Sequence, residues 1–518
     1  MSDSKPPPLA LRALVAIGAG AILHILAPPI NLHWLHWLAY LPMFWVVRPD
    51  TPKANAWLGY LYGAVGVGLI FRWFVDTIIL FSNLSPVLAY TCLVLFSAAF
   101  GIPYALLWWS VHKLRARVGV WWVLALPALE VLIEFASMFI LLFPYQHGVS
   151  QYRFPYTWQL ASVTGVWGLS FLVFFVNATL AEAIYRHREG GRFPILAVCG
   201  SLSTLFSVVL FGAWRHAKVE AVLADAPVIR AAQLQSGQGM KERFGLTARE
   251  AFRYWVEATQ SLEGEDPDLV VWSEGACPYN LNEGRVPAVL QSLASKGDFE
   301  LIVGAGSRER RVEEDGEKRV TAFNSVYYFS PDDTKPQRYD KMVPLPFGEY
   351  IPFSGTFPWL ADLIQGPGNF GAGKTAVTFE GDGRTYGSPI CYEAILSYVV
   401  RRWDNPDLLV NVTNDAWFGD TAAPHQHAML AAVRSIELGT PTFRAAYSGV
   451  SMVIEPHGRI HSETRPFTEV HRVVPVRVAT VPTIYSKLGD WFVYLCGIGF
   501  AAGLIATRRR DDDSTQGS

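Results

Sequence analysis

The sequence predicts an α+β membrane protein, an eight-helix transmembrane bundle that carries an extracytoplasmic layered α/β domain. Three observations lead there. Of the 518 residues 51% are hydrophobic and only 17% are charged, a balance that a soluble chain of this size rarely carries. Apolar runs near the ~20 residues needed to cross a bilayer recur through the first part of the chain and return once near its end. Between them the pattern changes to charged clusters, Gly/Pro turns and short Val/Ile/Leu segments.

The runs lie near residues 9–29, 33–47, 56–75, 86–111, 119–142, 160–185 and 193–213, with an eighth near 488–507. Residues 1–220 are therefore expected to form a seven-span bundle, 221–482 a water-soluble domain, and 483–518 the eighth span and a tail. Lys and Arg in short loops are retained on the cytoplasmic side. With the N-terminus inside, the inner loops and termini hold 13 of them, among them Arg12, Arg48, Arg115, Arg186 and Arg508, and the short outer loops only Arg72 and Arg153. Both termini are thus expected in the cytoplasm and the large domain outside. Lys5 and Arg12 before an apolar run ending at Ala27-Pro28 also resemble a signal peptide, but seven further spans favour a retained anchor.

Glu130 and Glu134 lie four apart inside the fifth run, hence on one helical face, where a carboxylate is costly unless it meets a partner or a polar cavity. Lining a head-group cleft and tying helices together as buried carboxyls both stand at this level. The net charge of −2 leaves no basic excess for nucleic acid. Five Cys without a CxxC or a Cys/His spacing suited to zinc indicate neither a disulfide framework nor a structural metal site, and no cofactor is expected.

In the soluble region β-rich runs precede turn residues: VIRAAQLQ from Val228, DLVVWSE from Asp268, LIVGAGS from Leu301, NSVYYFS from Asn324, GSPICYE from Gly387 and DLLVNVTND from Asp407. Helical stretches at 245–261, 285–296 and 423–438 separate several of them, which predicts a layered α/β fold. Catalytic groups of such folds cluster at the carboxyl ends of strands. Glu274, Cys391 and Asn414-Asp415 each follow an apolar run. Cys391 stands between a strand-like GSPI and YEAILSYVV, which reads as a helix whose N-terminus would favour a thiolate. A cysteine nucleophile needs a base and a cation for the oxyanion; Glu274 and Lys341, the latter in YDKMVPLPFGEY, can supply one each.

The set VWSEGACPY, YDKMVPLPFGEYIP, SPICYEA and LLVNVTNDAWFGD resembles the nitrilase (carbon-nitrogen hydrolase) superfamily, and the whole-chain pattern is similar to the apolipoprotein N-acyltransferase family. The resemblance implies a nitrilase-like α/β/β/α sandwich and a Glu-Lys-Cys triad: Glu274 as base, Lys341 as oxyanion-stabilising cation, Cys391 as nucleophile. It matches Glu349 to a second glutamate of the site and Tyr392 and Glu393 to the pair after the nucleophile. It further implies a phospholipid acyl donor, a diacylglyceryl apolipoprotein acceptor, and the periplasmic face of a bacterial inner membrane. Three positions depart from the family pattern: Ser273 for a usual Pro, Val343 for a common His, and Tyr447-Ser448 for a usual Asn. A membrane-tethered amidase with the same triad, and a non-catalytic scaffold, are the alternatives.

Other residues weigh toward ordinary roles. Cys277, three residues after Glu274, reads as a packed side chain. His425 and His427 lack acidic or Cys partners at metal spacing and read as capping or surface groups. Asn414 and Asp415 read as hydrogen-bonding the loop around the site. For Trp417 and Phe418, acyl contact and core packing are both open. So are membrane contact and core burial for the run from Ile351 to Ile364, which carries Phe353, Phe357, Trp359, Leu360, Leu363 and Ile364.

Overall fold

The computed structural model describes residues 7–82, 84–140, 144–312, 318–333, 335–352, 354, 356–357 and 369–516. Its contacts divide the chain into two compact units, one of Met1–Val75, Pro86–Trp214 and Leu488–Ser518, the other of Asp76–Ser85 and Arg215–Lys487.

The first unit is helical. Among the described residues four helical stretches are long and apolar enough to cross a membrane: Leu9–Leu26, Pro86–Ser137, Val166–Arg188 and Ile195–Ala224. The pair Pro52–Ile70 and Phe74–Leu80, bent by 50°, makes a fifth if it is one span, and Trp491–Ala506 is a shorter apolar helix. The run at 33–47, expected as a span, is instead a 3-10 turn, His33–Trp37, followed by the six-residue helix Leu41–Val46. Its polar residues explain the break: Asn177 in the helix Val166–Arg188 accepts from Tyr40 N and donates to His36 O, and His36 spans Ser150 and Tyr40. Pro42 falls at the start of the short helix, where its missing N–H costs nothing. Close backbone packing elsewhere needs glycine: a Cβ on Gly20 would lie 2.4 Å from Tyr62 O.

Twelve strands build the second unit: β1 (Val228–Gln235), β2 (Leu269–Asn280), β3 (Glu300–Val312), β4 (Lys318–Phe329), β5 (Gln337–Asp340), β6 (Thr378–Glu380), β7 (Thr385–Gly387), β8 (Leu408–Thr413), β9 (Thr442–Ala446), β10 (Met452–Ile454), β11 (Ile460–His461) and β12 (Val470–Arg477). They form two six-stranded sheets, β12-β1-β2-β3-β4-β5 and β11-β10-β9-β8-β7-β6. Each sheet is parallel at its centre, where β1-β2-β3 and β7-β8-β9 pair, and antiparallel at its edges. Buried on both faces, the central strands read as continuous apolar runs; LLVNVT of β8 is buried throughout. The sheets meet through β2 against β8 and β9. On the first sheet lie the helices Ala248–Gln260 and Val286–Gly297, through a core of Trp255, Ala258, Trp272, Leu290, Ala294 and Val303. The helix Ala423–Leu438 packs against the turns Cys391–Ile395 and Asp415–Phe418. This is the expected layered α/β architecture.

Candidate active site

Glu274, Lys341 and Cys391 come from three separate elements and converge. Glu274 does not follow β2 but lies within it, at a register shift between Trp272 and Cys277, beside Gly275 at φ 60°. A bulge re-aims one side chain and breaks the ladder locally, and here the re-aimed side chain is the carboxylate. Lys341 follows β5, its N–H held by Asn324 O at 2.9 Å. Cys391 begins a five-residue 3-10 turn after the bridge of Ile390 to Val412 of β8.

The charges are buried and tightly linked. Lys341 Nζ lies 2.7 Å from Glu349 Oε2 and 3.7 Å from Glu274 Oε1, and its side chain is 1% exposed. Asn324 donates through Nδ2 to Glu274 Oε1 at 2.7 Å and to Glu349 Oε1 at 2.6 Å. Glu274 Oε2 accepts from Asn414 N at 2.8 Å, and Glu349 Oε2 from Leu345 N at 2.6 Å. Burial pulls the Lys341 pKa down, but the charges of Glu349 and Glu274 outweigh it and raise it overall, so the ammonium is retained. An ammonium carries three N–H donors; two carboxylates engage it, and one donor remains for a reacting oxygen.

Burial pushes the Cys391 thiol well up, and the Glu274 charge adds to that, against Lys341 and a hydrogen bond from Thr413. The helix expected after Cys391 is only the 3-10 turn and the four-residue Ser397–Val400, too short to supply the dipole that sequence reasoning assigned to it. Burial and the neighbouring carboxylate thus favour the thiol form of Cys391.

Cys391 itself stands at φ 51°, a left-handed conformation that costs a non-glycine residue energy and persists only where its surroundings impose it. Two groups do so. Glu393, fully buried, turns back to accept from Ile390 N at 2.9 Å and also from Met342 N, Val343 N and the Tyr339 hydroxyl. Burial pushes its pKa up to about 7, while Lys341 and the N–H donors favour the ionised form. On the other side His427 Nε2 faces Cys391 O at 3.3 Å, and its Nδ1 lies 2.7 Å from Asp415 Oδ1. Asp415 Oδ2 in turn accepts from Arg444 at 2.9 Å. Burial would raise the Asp415 pKa, but Arg444 and His427 outweigh it and lower it.

His427 is therefore not the surface group that its sequence suggested. It is fully buried, and it links the Cys391 peptide to Asp415. Asn414 and Asp415 serve the loop, and Asn414 also caps the turn Asp415–Phe418 through Ala416 N. Asn324 and Arg444 were missed. Both are polar residues inside apolar strand runs, facing the interior where β-strands rarely spend a polar side chain without a reason, and that was the available signal. Tyr392 is buried. Phe418 is buried edge-on to His427, and Trp417 packs on the first sheet's core. Trp359 lies outside the described residues, as do Phe353, Leu360, Leu363 and Ile364; Phe357 is about half exposed. Cys277 is buried beside Glu274, its pKa pushed up to about 12 by burial, and is a free thiol.

Two family models match the chain, the apolipoprotein N-acyltransferase N-terminal domain over residues 19–179 and the carbon-nitrogen hydrolase domain over residues 229–483. A CN-hydrolase superfamily protein of Xanthomonas campestris of known structure shares 18% identity, covering 54% of this chain and 97% of its own, with a TM-score of 0.36. Among curated relatives, the apolipoprotein N-acyltransferase of Geobacter metallireducens is 29% identical over 508 residues, covering 96% of this chain and 95% of its own. That of Bradyrhizobium diazoefficiens is 30% identical over 528 residues, with the same coverage of each chain. With that identity sustained over nearly the whole chain, the chain belongs to the apolipoprotein N-acyltransferase family and is an enzyme of it.

Proposed function

We propose that the enzyme moves an acyl chain from a phospholipid to the α-amino group of the N-terminal diacylglyceryl-cysteine of an apolipoprotein, through a thioester on Cys391. The observation that carries the reading is the buried cluster in which Lys341 pairs with Glu274 and Glu349 while the charges of Glu274 and Lys341 both act on the Cys391 sulfur. Glu274 accepts the thiol proton as the sulfur attacks the ester carbonyl. Charge developing on the carbonyl oxygen is met by the remaining Lys341 N–H and by the backbone N–H of Tyr392. Collapse expels the lysophospholipid alkoxide, which takes the proton back from Glu274, and leaves a thioester. The acceptor amine then loses a proton to Glu274 as it attacks, and the Cys391 thiolate leaves and takes that proton from Glu274. Asn324 holds both carboxylates in register around Lys341, and Glu393 fixes the turn at the nucleophile. No cofactor takes part.

The same reading divides the chain into a bundle at 1–220 and 483–518 and a catalytic domain at 221–482. It takes the broken segment at 33–47 as one short crossing among eight, and on that count sets the catalytic domain on the periplasmic side of a bacterial inner membrane, with both termini in the cytoplasm. The charge bias of the short loops supports that orientation, and a lipid donor and a lipidated acceptor both reside at such a surface. Phe357, about half exposed, is the described aromatic residue of the run from Ile351 to Ile364 that would meet an acyl chain.

Incubating the purified protein with phospholipid vesicles and a diacylated lipopeptide separates this reading from a water-using amidase or esterase. Mass spectrometry is expected to find triacylated peptide and lysophospholipid in equal amounts. Free fatty acid with unmodified peptide would identify a hydrolase instead.

A further inference from the structure

The polar groups with the least explanation lie not in the catalytic domain but inside the helical unit. Glu130 and Glu134 stand one turn apart on the helix Trp122–Ser137, and His147 opens the 3-10 turn His147–Arg153. All three are at most 3% exposed, and one ligand-capable atom from each lies within 4.8 Å of the others. Glu134 Oε1 accepts from His147 N at 2.8 Å. The second oxygen of each carboxylate, Glu130 Oε2 and Glu134 Oε2, and His147 Nδ1 have no hydrogen-bond partner. Among the described residues no Lys or Arg pairs with either carboxylate; the ion-pairing neighbour of Glu130 is His147. The Ser170 hydroxyl also hydrogen-bonds to Glu134, yet two ionised carboxylates at membrane depth, each with an unpartnered oxygen, still lack a balancing charge.

The spacing suggests what completes them. Glu130 Oε1 lies 3.4 Å from His147 Nε2, long for a hydrogen bond between nitrogen and oxygen. It matches the edge, about 3.3 Å, of a tetrahedron whose centre is bound by nitrogen and oxygen at ~2.0–2.1 Å. The Tyr104 hydroxyl, hydrogen-bonded to the same nitrogen at 3.2 Å, stands at a spacing that an edge of the same tetrahedron would also have. Two carboxylates and a neutral imidazole around a doubly charged cation sum to zero charge, the state that a low-dielectric interior favours.

We propose that Glu130, Glu134 and His147 bind a first-row divalent cation, Zn2+ being the best match to two carboxylates and an imidazole, with the Tyr104 hydroxyl at or beside the fourth position. The ion ties the helix Trp122–Ser137 to the segment at His147. It is a structural site within the bundle, and it stands or falls independently of the acyl-transfer reading.

The test is metal analysis of the full-length protein, purified in detergent through a tag without histidines. About one equivalent of Zn2+ per chain is expected, with X-ray absorption showing only nitrogen and oxygen neighbours near ~2.0 Å and no sulfur at ~2.3 Å. Chelator-stripped protein is expected to gain a few degrees in Tm, about 4 °C or more, when Zn2+ is restored. Glu130→Gln and His147→Gln, near-isosteric changes, are each expected to abolish both the bound zinc and that gain. Absence of metal from the wild type together with no Tm response to Zn2+ or Mn2+ overturns the proposal, and this arm needs no variant to fold. Sulfur in the zinc shell, or equal zinc in wild type and Glu130→Gln, overturns it as well, because the ion then sits at a cysteine or elsewhere.

Discussion

At the scale of single residues, Cys391 is held between opposing demands. Its surroundings keep the thiol protonated, through burial and the Glu274 charge, yet Lys341 is near enough to favour the thiolate. In the proposed reaction such an arrangement suppresses a standing thiolate and makes attack depend on proton transfer to Glu274. The sign of one substitution follows. In Glu274→Gln the carboxylate charge that raises the Cys391 pKa is gone, so alkylation by a small neutral reagent at a fixed alkaline pH is expected to speed up. Acyl transfer at neutral pH is expected to fall by about 10²–10⁴-fold, the range for loss of a general base. Rates for both reactions on one preparation check this, and a parallel fall in both would mark Glu274 as structural. The convergence of Glu274, Lys341 and Cys391 was legible in the sequence because each sits in a distinctive string beside an apolar run. Asn324 and His427 were not. Their roles depend on which way a side chain points across two sheets and on a contact between residues 36 apart, His427 and the Cys391 carbonyl, neither of which local pattern encodes.

At the scale of elements, the alternation of short β-branched runs with amphipathic helices foretold a layered α/β domain, and VWSE, SPIC and LLVNVT each fell on or beside a central strand. Periodicity misplaced the details where side chains override it. β2 runs on past Glu274 as far as Asn280 through a bulge, although Glu, Gly and Pro in the run read as its end. YEAILSYVV carries good helix formers, but Glu393 is drawn back to four hydrogen-bond donors and the helix breaks into short turns. The apolar run at 33–47 counts enough Trp and Leu to read as a span, yet His36 is buried and hydrogen-bonded, and Pro42 is tolerated only at a helix start. The bulge in β2 rests on a neighbour without a side chain. A Cβ on Gly304 of β3 would lie 2.4 Å from Ser273 O and 2.7 Å from Glu274 Cα, backbone atoms that have nowhere to go. Gly304→Ala is therefore expected to cost about 1–3 kcal/mol, as overpacking does, and to displace Glu274. Thermal melts together with acyl-transfer rates check this; wild-type activity in a stable Gly304→Ala protein would show that the bulge position is not what sets the base.

For the whole molecule, composition alone separated an apolar helical part from a globular one, because a bilayer and water select different residues over long stretches. The number of continuous helices was less legible, since hydropathy sums residues without asking which are hydrogen-bonded to a neighbouring helix. The orientation is open to direct measurement. In a background with the exposed Cys199 replaced by Ser, Ala116→Cys is expected to resist a membrane-impermeant thiol reagent in intact spheroplasts, and Val320→Cys, at a position 64% exposed, to react. Equal labelling would place the two positions on the same side. The central claim, that acyl transfer passes through Cys391, is tested most directly by intact-mass spectrometry after incubation with phospholipid vesicles and no acceptor. A mass increase of one acyl group is expected, mapped to Cys391, absent in Cys391→Ala, present in Cys277→Ala, and removed when a diacylated lipopeptide is added. An adduct that persists in Cys391→Ala, or triacylated product formed by that variant, would contradict it.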